Sequence, residues 1–122
     1  MPVDSLILLA HGSRHPAWRT PLDELMKTLP DEPSGVGVCL AFLQMASPSI
    51  EDVVSDLAGR GVRRIRVLPL LLSAGNHVDG DSQDRINALQ MRFPAVELEL
   101  LPPLFSQPRF KAMLLELVKE SL

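Results

Sequence analysis

One cysteine, one tryptophan and no tyrosine occur among the 122 residues. The lone Cys39 rules out an internal disulfide. With no Cys pair and no His-x-x-x-His, the chain also lacks the spacing of a structural zinc site. Cys39 falls in an apolar run and reads as a small core residue rather than a nucleophile. Four Phe complete the aromatics, so the core is mostly aliphatic. Positive charge is not in excess: the formal net charge is −3, which gives no electrostatic reason to expect a nucleic-acid partner. No apolar run approaches the length that spans a bilayer, so no membrane segment is expected. No basic segment leads into an apolar stretch near the start, so secretion is not expected and a reducing cytoplasm is the default setting. There is no Gly-x-Gly-x-x-Gly after the first apolar run, no Walker lysine motif and no Gly-x-Ser-x-Gly elbow. A nucleotide fold and a serine hydrolase are both poorly supported.

What is present is alternation. Val3 to Ala10 reads as a strand buried on both faces, and Pro16 to Leu29 as a helix with Trp18, Leu22, Leu25, Met26 and Leu29 inward. Pro21 marks an irregular first turn or a later start. Gly35 to Phe42 is a second strand. Pro48 to Gly59 is a helix, with Ser47 as N-cap, Pro48 in first place and Glu51 and Asp52 in the first turn. Arg64 to Leu72 is a third strand, Ser73 to Gly80 a loop, and Asp81 to Phe93 a helix. Val96 to Leu101 alternates apolar and acidic residues and suits a half-exposed edge strand. Gln107 to Leu122 is an amphipathic closing helix. The order predicts one domain over residues 1–122: an α/β fold with a four-stranded parallel sheet and helices on both faces.

His11 and His77 each follow an apolar strand. Both are therefore expected above the carboxyl edge of the sheet, where open α/β folds build their sites. Two imidazoles there point to metal or proton chemistry. In the turn His11-Gly12-Ser13-Arg14, Gly12 permits a tight bend, Ser13 reads as a ligand contact or a simple cap, and Arg14 can hold an anion. His15 is a rim residue. Gln44, just past the second strand, can hydrogen-bond a ligand but cannot serve as a base. Met45 offers a soft sulfur or ordinary packing. In the loop Ser73-Ala74-Gly75-Asn76-His77, mobility and polar groups suit substrate contact. Asp79 or Asp81 can orient an imidazole, and Asp81 equally suits a helix N-cap. The basic residues Arg60, Arg63, Arg64 and Arg66 fall toward the opposite edge of the sheet and read as a solvated face or partner contact.

Three stretches, Leu8-Leu9-Ala10-His11-Gly12-Ser13-Arg14, Ala41 to Ile50 and Pro69 to Asp81, together resemble the class II chelatases, and most of all the short CbiX-type sirohydrochlorin cobaltochelatases. The resemblance implies insertion of a divalent metal into a sirohydrochlorin-type tetrapyrrole, as in cobalamin or siroheme biosynthesis. The metal is a substrate: cobalt, with nickel or ferrous iron as alternatives. No organic cofactor is implied. His11 and His77 would bind the metal and assist its transfer. Arg14, Ser13, Leu43, Met45, Ser73, Gly75 and Asn76 would contact the macrocycle. Long relatives hold two such domains, so the short form implies a homodimer. The family usually carries Glu where this chain has Gln44. Glutamine keeps the shape and a carbonyl acceptor but loses charge and basicity. A non-catalytic tetrapyrrole- or metal-binding homologue is therefore the alternative, and an anion-binding flavodoxin-like domain a weaker third.

Overall fold

A strand with apolar residues at nearly every position needs cover on both faces, and parallel sheets supply it. In the computed structural model that strand is β1 (Ser5–Ala10), and it lies inside the sheet. The structure describes residues 4–29, 37–71 and 76–122, with the side chains of 76–81 outside the description. The remaining elements are α1 (Pro16–Thr28), β2 (Gly37–Phe42), α2 (Ile50–Gly59), β3 (Arg64–Pro69), α3 (Asn76–Arg92), β4 (Glu97–Leu100) and α4 (Pro108–Ser121), with a short 3-10 turn at Leu104–Ser106. The four strands are all parallel, in the order β2-β1-β3-β4.

That order fixes where the helices lie. The chain steps from β1 outward to β2, then back across β1 to β3, and on to β4. Right-handed crossovers put the first helix on one face and the next two on the other. The packing agrees. Ile7, Leu9, Ile65 and Val67 share one core with Ile50, Val53, Val54 and Leu57 of α2 and Ile86 and Leu89 of α3. Leu8, Ala10, Leu40 and Phe42 form the other, against Leu22, Met26 and Leu29. Trp18 and Leu25, expected inward, are 39% and 40% exposed, although Trp18 still meets the Phe42 ring at 6.3 Å between centroids. Helix α1 runs from Pro16 through Pro21 without a later start.

Three boundaries differ from expectation. Helix α2 starts at Ile50 with Ser49 as its cap, the Ser49 hydroxyl accepting from Asp52 N at 3.1 Å. Ser47 and Pro48 are not its cap and first residue. Residues just before Ile50 are still paired with β2: Phe42 N donates to Pro48 O at 2.9 Å and Phe42 bridges Ser49. Helix α3 starts at Asn76, so residues 76–80 are helical rather than loop and Asp81 is not the N-cap. Strand β3 ends at Pro69, and Leu72 lies outside the described residues.

The last helix is the largest surprise. No residue of α4 is buried, so it does not close the core. Met113, Leu115, Leu117 and Val118 are 47%, 56%, 50% and 54% exposed. The sheet face left bare beside α1 has its own solution. On it β3 and β4 present Arg64 and Arg66 opposite Glu97 and Glu99, paired at 3.1 and 3.6 Å. Arg64 and Arg66 of the basic run thus pair with acidic partners on this face, and β4 is the half-exposed edge strand expected. No helix among the described residues is long and apolar enough to cross a membrane.

Candidate functional site

Strands β1 and β3 are neighbours whose following helices lie on opposite faces of the sheet. Their carboxyl ends therefore diverge and leave a crevice, the usual binding place in an open α/β sheet. His11 follows β1 directly, and α3 begins at Asn76 on the far side with His77 in its first turn. Ser73 and Gly75 lie outside the described residues, as do the side chains of Asn76, His77, Asp79 and Asp81.

The turn after β1 is locked to the turn after β2. Leu43 N donates to Ala10 O and Gln44 N to His11 O, each at 3.0 Å, so the ladder continues past the strands. Gly12 is buried with φ +105°, and a Cβ there would meet Gln44 O at 1.6 Å. Only glycine permits both the backbone angle and the approach. The exposed His11 ring then meets the Gln44 side chain, Nε2 to Nε2 at 3.0 Å. The contact brings the Gln44 amide group and the imidazole together, and which of them donates is set by the ring tautomer and the amide's orientation. Gln44 is itself exposed rather than buried against the sheet.

The other expected residues separate. Met45 takes φ 58°, rare for a residue with a Cβ, and its side chain is 56% exposed beside Gln44. It is not core packing. Leu43 is half-buried and packs into the α2–α3 core, so it is a poor candidate for a cleft wall. Ser13 Oγ accepts from His15 N at 3.1 Å, which makes it a turn former whether or not it also meets a ligand. Arg14 and His15 are exposed at the rim. Burial pushes the Cys39 thiol up, which opposes a thiolate role.

Two arginines were not legible as site residues. Arg19 of α1 donates to Ser47 O at 2.6 Å, bonds Asp23 at 3.1 Å and stacks over Phe42 at 4.8 Å. Arg85 of α3 donates to Leu43 O at 2.7 Å and grips Glu51 through two bonds of 2.9 and 2.5 Å. The Gln44 turn is thus clamped from both faces of the sheet. The Arg85 hydrogen bond holds the Glu51 carboxyl below its usual range. On sequence, Arg19 and Arg85 are ordinary charges on helix surfaces, and the groups they bond across the fold are 28, 34 and 42 positions away.

The CbiX family model matches residues 5–121. The sirohydrochlorin cobaltochelatase of Methanothermobacter thermautotrophicus is 32% identical over 83 residues, which are 66% of this chain and 55% of that protein. The sirohydrochlorin ferrochelatase of Priestia megaterium is 27% identical over 122 residues, 98% of this chain and 45% of that one. The chain spans about half the length of the curated relatives it matches. Among solved structures, a protein described as a cobalamin (vitamin B12) biosynthesis CbiX protein, from Marinobacter aquaeolei VT8, superposes with TM-score 0.79 at 30% identity. That match covers 96% of this chain and 95% of the other.

The locked turn makes a direct prediction. Gly12→Ala should lower the unfolding free energy by more than about 3 kcal/mol, because strain and a backbone clash add. Gly59→Ala, with nothing within 4 Å of the new Cβ, should be neutral or stabilise by up to about 1 kcal/mol. Urea denaturation measures both. A Gly12→Ala variant within about 0.5 kcal/mol of the parent would show that the two turns do not pack this closely.

Proposed function

Because the chain belongs to the CbiX family, we propose that it inserts a divalent metal into a sirohydrochlorin-type tetrapyrrole, acting as one chelatase-like domain in the cytoplasm. Cobalt is the metal we assign, since cobaltochelatases stand among the relatives. Ferrous iron and nickel suit the same imidazole chemistry. The observation that carries the reading is the crevice between β1 and β3, with His11 and Gln44 in contact on one side and the first turn of α3 on the other.

Insertion exchanges two pyrrole protons for one metal ion. His11 and His77 are assigned to hold the incoming ion, and Arg14 with the Ser73–Asn76 segment to hold the macrocycle's peripheral carboxylates. An imidazole nitrogen cannot give one lone pair to a metal and a proton together, so the roles alternate in time or between residues. At His11 the Nε2 nitrogen lies 3.0 Å from the Gln44 amide. Metal binding at that nitrogen requires the amide to move aside or to turn its carbonyl oxygen toward the ion. A glutamate in the same place would accept from Nε2–H and would take up a proton directly.

Gln44→Glu should therefore raise the insertion rate by at least about tenfold, part of the roughly 10²–10⁴-fold that a positioned base supplies. The position is exposed, so the thermal midpoint should hold. The assay is cobalt insertion into sirohydrochlorin followed by absorbance, against the spontaneous rate. A parent chain no faster than the spontaneous reaction, with activity only in the variant, would make the protein a non-catalytic tetrapyrrole- or metal-binding homologue. An unchanged or slower variant with an unchanged midpoint would refute a lost base at position 44.

The same reading makes the active form a homodimer. The chain has about half the length of its curated relatives, and α4 leaves Met113, Leu115, Leu117 and Val118 exposed. Light scattering should find twice the chain mass at micromolar concentration, and Leu117→Asp should halve it. Only monomer, with tetrapyrrole present, would remove the dimer from the account.

A further inference from the structure

Arg85 joins three elements through one flat head group. Its Nε and Nη2 bond the two oxygens of Glu51 on α2, at 2.9 and 2.5 Å, and its Nη1 reaches the carbonyl of Leu43 at 2.7 Å. Leu43 precedes Gln44, and its own N–H bonds Ala10 O. A continuous set of hydrogen bonds therefore runs from α3 through Leu43 to the Gln44 turn and His11. Helix α3 also carries His77, in its first turn.

Among the described residues the Arg85–Glu51 ion pair is the least exposed; Arg64–Glu97 and Arg66–Glu99 also join two elements, but with side chains 38–67% exposed. Arg60–Asp56 and Lys27–Glu24 stay within one helix, with side chains 58–72% exposed. Arg85 and Glu51 are 24% and 35% exposed. Guanidinium geometry explains the construction. One edge of the plane locks on the carboxylate, which leaves the remaining N–H aimed in a fixed direction. A lysine ammonium would keep the charge but not the fork.

We infer that Arg85, anchored by Glu51, is a positioning residue: it sets the spacing between α3, which bears His77, and the turn that bears Gln44. It touches neither metal nor macrocycle. The inference rests on the assignment of His11 and His77 as metal ligands.

The test compares Arg85→Gln, Arg85→Lys, Glu51→Gln, His11→Ala and His77→Ala in the full chain. The readouts are cobalt(II) titration with the visible bands of bound cobalt, kcat and KM for insertion, and the thermal midpoint. Outer-shell partners of metal ligands typically cost about 10–100-fold when removed. Arg85→Gln should weaken cobalt binding by about tenfold, alter the band shape and lower kcat more than it raises KM. Arg85→Lys should recover the midpoint but not the bands or kcat. A lowered midpoint with unchanged bands and kcat would reduce Arg85 to a stabilising residue and overturn the inference. Should Arg85→Gln fail to fold, Glu51→Gln carries the test, and unchanged bands and kcat in it overturn the inference equally. If the histidine variants lose cobalt while Arg85→Gln and Glu51→Gln keep parent bands, the inference fails alone. If the histidine variants bind cobalt like the parent, the ligand assignment fails and the inference falls with it.

Discussion

Everything at the candidate site hangs on two backbone hydrogen bonds beyond the strands, Leu43 N to Ala10 O and Gln44 N to His11 O. They fasten the turn after β1 to the turn after β2, and they require a residue without a Cβ at position 12. Once the turns are joined, the His11 ring and the Gln44 amide have no choice but to meet. The arginines then hold the joined turns from either side, Arg19 through Ser47 O and Arg85 through Leu43 O. Charged hydrogen bonds to backbone carbonyls are among the stronger contacts a half-buried loop can make. They hold Met45 in a left-handed backbone conformation that its own sterics disfavour.

The chemistry follows from what the joined turns present. The Gln44 amide beside the His11 imidazole brings no formal charge of its own to the contact. A carboxylate in the same place would only accept, from Nε2–H, and would add attraction for a divalent ion. The single atom that separates glutamine from glutamate thus changes both the charge and the basicity beside the histidine. This couples the two residues more tightly than a list of site members conveys.

The pattern of residues made much of this legible. Apolar runs bounded by turns located all four strands, and the post-strand positions of His11 and Gln44 placed them at one edge. Gly12 was recognisable as a tight turn, though its contact with Gln44 was not, because the crossover helix α1 and strand β2 separate the two in the chain. The start of α3 was misread since Gly80 and Asp81 mimic a loop and a cap, while the helix begins at Asn76. Ser47 and Pro48 carried a plausible helix start, but residues 48 and 49 remain tied to β2 and Ser49 takes the cap. The amphipathic stripe of α4 was visible, yet periodicity names a face without naming what covers it. Arg19, Glu51 and Arg85 were invisible as a group because their partners lie far off in the chain.

The central claim is that His11 and His77 converge on one metal ion across the β1–β3 crevice. X-ray absorption at the cobalt edge, on the protein loaded with one equivalent of cobalt(II), tests it most directly. The account predicts scattering from two imidazoles in the parent and from one in each of His11→Ala and His77→Ala. Identical spectra from parent and both variants, or no imidazole scattering in the parent, would contradict it.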